Sequence, residues 1–562
     1  MISGVEEPSV ARRRRRKARL VASTSALAAA GLLVGVAGAG TASAAGKRAS
    51  SVNTASLPQP TNSQLGIPAN PHHGGTLTIL EGAGFVGSWN SLDPANSNTA
   101  GADLSFMDAI FGQLFDLGPN GQMLPDIATG YKYTNSGKTV EVFLRHGIKF
   151  SDGTSLTSAA VKWNWIRDFN SPSSSKPIFE SAQKGNPVVT TVGPYQVNIT
   201  FDYTNAAFID ELQGGDILNY IVSPTAVQKM GKTAFGLKPV GAGPFEVVSD
   251  TTSNQLVLKR NPHYFMKGLP YLNGVTFKVV ANDEAALEAM KAGTGQGYEG
   301  LATPQLVPAF KAQFDTVQEP STSPYDLQLN TQIAPFNNLK ARQAIYYAIN
   351  CQLIDQKLFQ NQNPCGQSFE APAGLFYEKT VPGYLGYDPS KAAAIVKQLG
   401  GLSFTLFTIN APLAITMNEA LQSEFQAVGM KVTLAAYDLP QLVSAFEGGK
   451  WTIGLQTAGA WDPASGVGVC FRFCSTSPFT GVKSAQLDTL LNDAANSSSA
   501  KARQTYYNAA AESIARNAWG PFLFALDGHN VVVKGDGAPG LSTPLPTVSV
   551  NPTILWQYGY AK

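Results

Sequence analysis

Among the residues able to do chemistry, histidine and cysteine are the scarcest: His72, His73, His146, His263 and His529, with Cys351, Cys365, Cys470 and Cys474. The adjacent imidazoles His72 and His73 lie in a polar, Pro-rich stretch, where a solvated pair is the ordinary outcome. A metal site there would need further ligands. His529 stands two residues after Asp527, a spacing that suits a hydrogen-bonded pair, and its place at the start of a returning strand gives it a structural role. An even cysteine count favours disulfides in an oxidising compartment. The expected pairing is the local one, Cys351 with Cys365 and Cys470 with Cys474. The C-x13-C and C-x3-C spacings lack the paired C-x2-C signature of zinc sites.

Catalytic motifs are missing from the sequence. It holds no G-x-S-x-G, no H-E-x-x-H and no P-loop. Gly295, Gly297 and Gly300 spell G-x-G-x-x-G, but they follow a helical pattern, Asp283 to Ala292, whereas a dinucleotide site needs a preceding strand. No catalytic residue, metal or cofactor is assigned. The rival from the enzyme class is a secreted hydrolase using cleft carboxylates such as Asp462 and Glu81, which would need a defined spacing between the two.

The elements that would position a binding surface are clearer. In Tyr131 to Trp165, Val140, Val142 and Leu144 alternate with Glu141, Phe143 and Arg145, a strand with one buried face that Gly147 breaks. Ile148 to Phe150 reads as a second short strand and Asp152-Gly153 as a tight turn. Thr157 caps a helix whose Val161, Trp165 and Phe169 recur at fourfold spacing. Phe404 to Thr408, Leu421 to Val428 and Val432 to Ala436 form a βαβ unit. Helices are expected over Asp103 to Phe115, Leu487 to Ala494 and Ala502 to Ala518.

The N-terminus reads as an export signal. Arg12 to Arg16, Lys17 and Arg19 precede an uncharged Ala/Gly/Leu run, and Ala42-Ser43-Ala44 offers a small-residue cleavage site. Removing residues 1–44 leaves 34 basic against 37 acidic residues, a net charge of about −3 that argues against a nucleic-acid partner. Residues 45–73 have no hydrophobic period and read as a flexible spacer. The remaining length exceeds what one hydrophobic core supports, so two lobes are expected.

The stretch from Asn135 to Val161 resembles the hallmark segment of the family 5 solute-binding proteins, the peptide and nickel receptors of ABC importers. The resemblance is carried by Asn135, Ser136, Gly137, Lys138, Phe143, Leu144, Arg145, Gly147, Ile148, Lys149, Phe150, Asp152, Gly153, Thr154, Leu156 and Val161. Ser91-Leu92-Asp93-Pro94, Met123 to Ala128, Val240 to Phe245, Lys259 to Phe265 and Ala341 to Ile349 are similar to further family segments, in the family's order. Asn350 and Cys351 depart from its usual aspartate and basic residue.

The resemblance implies an α/β, two-lobed, periplasmic-binding-protein-like fold of type II with a hinge-closing cleft. Residues 74–314 and 529–562 would form lobe I, with an inserted subdomain at about 100–230, and residues 315–528 lobe II. It implies a monomeric receptor that hands a peptide or similar small solute to a membrane ABC permease with cytoplasmic ATPases, without covalent chemistry. A sensor coupled to a signalling partner is the second rival. The chain would be exported to the extracellular or cell-surface space. Its tether stays open, because no cysteine stands at the cleavage site. Ligand contacts are expected from Phe85, Ser88 and Trp89, from Tyr325, and from Gln456, Thr457, Gly459, Trp461 and Asp462. Peptide receptors of the family place an aspartate three residues before the acidic-Pro pair, and Gly459 stands there. A buried ammonium without a carboxylate is costly. Gly459→Asp is therefore expected to strengthen binding of free-amino peptides in a calorimetric titration, and no gain would show that Gly459 does not occupy that position.

Overall fold

The computed structural model describes residues 56–562 apart from 83–88, 90, 97–102, 119–121, 171–186, 207, 213–216, 302, 320, 411, 438, 458–465, 478 and 546–553. Its largest sheet has seven strands. In spatial order they are Asp315–Glu319, Gly528–Val532, Gly297–Leu301, Thr76–Gly82, Gly274–Val280, Gln255–Arg260 and Phe245–Thr251. Thr76–Gly82 is central and runs parallel to both neighbours. Alternation sends its Leu77 and Ile79 into a core with Phe106, Phe277 and Trp556, and its Leu80 into a second core with Leu287, Met290 and Phe310. TLTILEG places Leu77, Ile79 and Leu80 at its buried positions, followed by the buried Glu81.

A second sheet orders Tyr325–Leu329, Ile453–Thr457, Ser403–Ile409 and Lys431–Tyr437. Its parallel pair brackets the helix Pro412–Ala427, the βαβ unit read from the sequence. A third, antiparallel sheet, Ala128–Thr134, Thr139–Leu144, Gln196–Thr200 and Val188–Thr191, carries the helix Ser158–Phe169 and has its own core. Trp165 is the centre of that core: fully buried, edge-on to Phe208 at 5.8 Å, and donating from Nε1 to the Leu218 carbonyl at 2.9 Å. Both cysteine pairs are disulfides, Cys351–Cys365 and Cys470–Cys474.

Several expectations change in detail. Ile148 to Phe150 forms no strand; Lys149 makes a single bridge to Ser155, because Gly147 and Gly153 take left-handed backbone angles at φ 76° and 81° and curl the chain back at once. Thr157 occupies the N-cap position in extended conformation, yet its side chain makes no capping bond. The helix from Asp103 stops at Phe111, where Gly112 turns left-handed. Gly241 and Gly243 are required by close approach: a Cβ on them would lie 2.3 and 2.6 Å, respectively, from the backbone that ends that helix. The helix packs on the main lobe core, so the inserted subdomain's core begins after it, at Leu114. Asp315–Glu319 still pairs within the first sheet, so the crossing to the second begins beyond Glu319.

Nor is the described part of the 45–73 stretch a free spacer. Leu65 and Ile67 are buried against Leu124, Leu545 and Tyr558, and Leu57 N donates to the Thr129 carbonyl at 2.7 Å. Two isolated apolar anchors dock a segment without giving it a period. Gly297–Leu301 is an interior strand, which leaves no phosphate-cradling turn at the G-x-G-x-x-G. Trp165→Ala should cost about 3–5 kcal/mol of subdomain stability, measurable by urea unfolding followed through tryptophan fluorescence, with the first sheet's unfolding transition shifted less.

Candidate functional site

The two large sheets meet where the chain crosses between them twice, once after Glu319 and once before Gly528. The crossings hold each other by backbone bonds: Tyr325 N donates to the Phe524 carbonyl at 2.8 Å, and Leu523 N to the Tyr325 carbonyl at 2.7 Å. Asp527 accepts from Ser321 N at 2.9 Å and from Gln318 Nε2 at 2.7 Å, tying one crossing to the other. The Cys351–Cys365 disulfide adds a third point, since Cys365 bridges to Phe524.

On the lobe I side, buried carboxylates gather along the hinge end of the sheet. Glu81 faces Glu299 across the parallel ladder, and Glu319 closes its strand opposite Gly528. Glu299 accepts from Ser105 Oγ at 3.1 Å, in the first turn of the helix that packs on this face. Deeper in, Asp108 accepts from Tyr220 Oη at 2.8 Å and from Gln113, Asp116 accepts from Gln557 Nε2 at 2.8 Å, and Asp126 accepts from Gln113 N at 2.8 Å. Burial is the main cause that pushes Asp108 and Asp126 up to about 7 and Glu299 to about 8, with neighbouring carboxylates adding to Asp108 and Glu299. Arg145, donating from Nε to the Asp126 carbonyl at 3.1 Å, pulls Asp126 partly back.

On the lobe II side, Asp326 and Gln328 turn away from the sheet core into the layer that holds Arg472. Asp326 is fully buried and is pushed up to about 7 by burial, against the pull of Arg472. The Arg472 guanidinium lies over the Phe479 ring at 4.7 Å. Arg503 reaches from the helix Ala500–Arg516 of lobe II to Asp210 on the short helix Phe208–Glu211 of the subdomain, with Nη1 and Nη2 at 3.2 and 3.3 Å from one carboxylate oxygen.

The expected ligand residues distribute unevenly over this frame. Tyr325 pairs with Thr457, and its neighbour Asp326 with Gln456, so two of the three expected segments lie side by side as strands. The Tyr325 ring itself is buried beside Phe524 at 6.4 Å, and its hydroxyl has no hydrogen-bond partner. Trp89, expected at the ligand, is packed in the lobe I core, edge-on to Phe106 at 5.0 Å with Nε1 donating to Asp250 at 3.1 Å. An indole with both faces covered and its donor satisfied acts as a brace. Phe85, Ser88, Gly459, Trp461 and Asp462 lie outside the described residues. Sequence reading missed Glu299, Glu319, Asp326, Arg472 and the Asp210–Arg503 pair. Glu299 lies in the middle of GYEGL and Glu319 ends the largely polar DTVQE, so neither strand's pattern marked them. Among the described residues, no group of three or more His, Cys, Asp or Glu side chains is arranged to hold a metal ion, and no helix is long and apolar enough to cross a membrane.

A two-sheet protein with a double crossing and a subdomain inserted in the first lobe is the architecture of two-lobed binding proteins, and solved structures match it closely. AgaA from A. tumefaciens R10, in complex with agropinic acid, superposes with a TM-score of 0.75 at 20% identity, over 87% of this chain and 99% of that one. A dipeptide-binding protein from Pseudoalteromonas sp. SM9913, in complex with Met-Leu, gives 0.74 at 17% identity, over 84% and 99%. The chain belongs to the bacterial extracellular solute-binding proteins, family 5, whose middle region it matches over residues 122–477. Among named relatives, the glutathione-binding protein GsiB of Salmonella typhimurium is 28% identical over 371 residues, 65% of this chain and 70% of that protein. GsiB of Escherichia coli O157:H7 is 28% identical over 369 residues, with 65% and 70% covered. These relatives are binding proteins by name, and the chain is an extracytoplasmic solute-binding protein of the ABC-importer class.

Carboxylates whose folded pKa is raised bind their protons more tightly in the native state than in the unfolded one. Their stabilisation is complete below the unfolded value of about 4 and is lost as pH rises through the folded values. The melting temperature is therefore expected to fall between pH 5 and pH 8, across the values near 7 and 8 of Asp108, Asp126 and Glu299. Glu299→Gln, which keeps the acceptor for Ser105, should flatten that slope in differential scanning fluorimetry.

Proposed function

We propose that this protein captures a small peptide-like solute between its two lobes and delivers it to a membrane permease. The observation that carries the reading is the Asp210–Arg503 contact. It joins the subdomain to lobe II at 3.2 Å, with the Arg503 side chain stacked over Phe376 at 5.5 Å, on the far side of a hinge made of only two crossings. A contact of this kind forms when the lobes come together, and a ligand that touches both lobes favours the same state. The ligand class follows from relatives that bind glutathione, itself a tripeptide of modest size.

As ligand-contacting residues we propose Phe85, Ser88, Gln456, Thr457, Gly459, Trp461 and Asp462, together with the strand that begins at Tyr325; Trp89 is packed in the lobe I core. Lobe I comprises residues 74–314 and 529–562, extended by the strand to Glu319, and lobe II the rest up to 528. The protein acts as a monomer, exported by the signal over residues 1–44, with delivery to an ABC permease driven by cytoplasmic ATPases.

Two measurements test this reading. Isothermal titration with glutathione and a panel of di- and tripeptides should show one-to-one binding without turnover, and a host lacking the gene should lose uptake of the bound peptide. Product formation, or binding without any loss of uptake, would overturn the importer reading. Asp210→Asn should raise the radius of gyration of the free protein in small-angle scattering and weaken peptide binding a few-fold, roughly as the closed fraction falls. An unchanged scattering curve would show that the pair does not hold the lobes together.

A further inference from the structure

We propose that Glu81, backed by Glu299 and Glu319, is a subsite for a cationic group of the ligand, an ammonium or guanidinium carrying N–H donors. The proposal rests on the receptor reading above and adds the chemistry of one end of the ligand.

Glu81 is fully buried, and among the described residues neither of its carboxylate oxygens has a hydrogen-bond partner. The fold supplies donors to the carboxylates around it: Ser105 to Glu299, Tyr220 and Gln113 to Asp108, Gln557 to Asp116, and the Gln113 amide to Asp126. Glu319 repeats the pattern of Glu81 in part, with its Oε1 buried and without a partner. A buried carboxyl group left without donors costs several kcal/mol of stability. Nothing in the packing of the strand Thr76–Gly82 demands a carboxylate at that point, since the residues before it on the same face, Leu77 and Ile79, are apolar.

Position gives the cost a purpose. Glu81 is the penultimate residue of the central strand, Glu299 lies opposite it at the last pair of their parallel ladder, and Glu319 ends its strand where the chain leaves for lobe II. In open α/β sheets, ligands sit just beyond the carboxyl ends of the strands. The three side chains sense one another: Glu299 is the neighbouring charge that acts on both Glu81 and Glu319. No Lys, Arg or His of the described residues forms an ion pair with any of them. Oxygens without donors beside further acid groups select a partner that is positively charged and rich in N–H. Burial and the Glu299 carboxylate push Glu81 well above its ordinary range. A cation bound beside Glu81 would oppose that shift and favour the ionised carboxylate.

The test uses the exported protein purified from its own host, as wild type and as the variants Glu81→Gln, Glu81→Ala and Glu319→Gln. The probes are free-amino Ala-Ala-Ala, its N-acetylated form, putrescine, agmatine, and tetramethylammonium as a cation without N–H. Titration calorimetry is expected to show wild-type binding of the free-amino probes over the acetylated peptide and over tetramethylammonium. Glu81→Gln should weaken that binding roughly thirtyfold or more, with Glu319→Gln losing less, while the ligand-free Glu81→Gln protein melts at or above the wild-type temperature. Tripeptide binding that is equally tight in Glu81→Gln and Glu81→Ala overturns the subsite and leaves the receptor reading standing. Glu81-dependent binding of putrescine or agmatine without any tripeptide binding supports the subsite and removes the peptide from the receptor reading. Failure of every probe with the wild-type protein overturns both.

Discussion

The structure depends on the pairing of two short crossings. Tyr325 exchanges backbone hydrogen bonds with Leu523 and Phe524, and Asp527 bonds back to Ser321 and Gln318, so the segments that enter and leave lobe II run as one narrow ribbon. A single crossing would let the lobes rotate freely, and a broad interface would fuse them. Two strands held by a few bonds permit bending about one axis, the motion a cleft needs. The strands Asp315–Glu319 and Gly528–Val532 then anchor the ribbon as adjacent members of the first sheet. The Cys351–Cys365 disulfide fastens the other end through the bridge from Cys365 to Phe524. The crossings are thereby anchored at both ends.

Much of this frame was legible in the sequence, and the reasons are local. The βαβ unit from Phe404 to Ala436 and the strand Val140 to Leu144 announced themselves by periodicity, because each buries one regular face. The segment holding Gly241 and Gly243 was visible by resemblance, but their role was not: they allow the close approach of two backbone segments distant in sequence, which no local pattern encodes. Leu65 and Ile67 escaped for the same reason. Two anchors in a polar stretch carry no period, and what buries them, Leu545 and Tyr558, lies at the opposite end of the chain.

The site was less legible than the fold. Its expected residues were placed by resemblance, and resemblance reports which segments border a cleft without saying which side chains enter it. Trp89 shows the difference: an aromatic beside glycines suggests a stacking platform, yet Asp250 satisfies its indole and Phe106 covers its ring. Tyr325 lies in the expected strand, but its ring turns to the core while Asp326, one residue on, faces the opposite layer. A single step along a strand exchanges a packing residue for a polar one.

The buried acids show how such a frame accommodates function at the expense of stability. Each of Asp108, Asp116, Asp126, Glu81, Glu299 and Glu319 holds its proton more tightly than in water, and burial leads the causes in every case. Hydrophobic replacements of similar volume would relieve that penalty, as they do for many buried charges. The Asp carboxylates recover part of it: Asp108 on the helix Asp103–Phe111 is held by Tyr220, Gln113 and the Ile554 amide of the C-terminal segment, and Asp116 by Gln557. Those bonds give the deeper acids a structural account. Glu81 has no such account, since among the described residues neither of its oxygens has a donor. Among neighbours that share its burial and its chemistry, the one side chain at the end of the central strand, beside the hinge, is left to find its partner elsewhere. Burial alone would penalise all of these acids alike; the difference in donors is what separates a brace from a binding group.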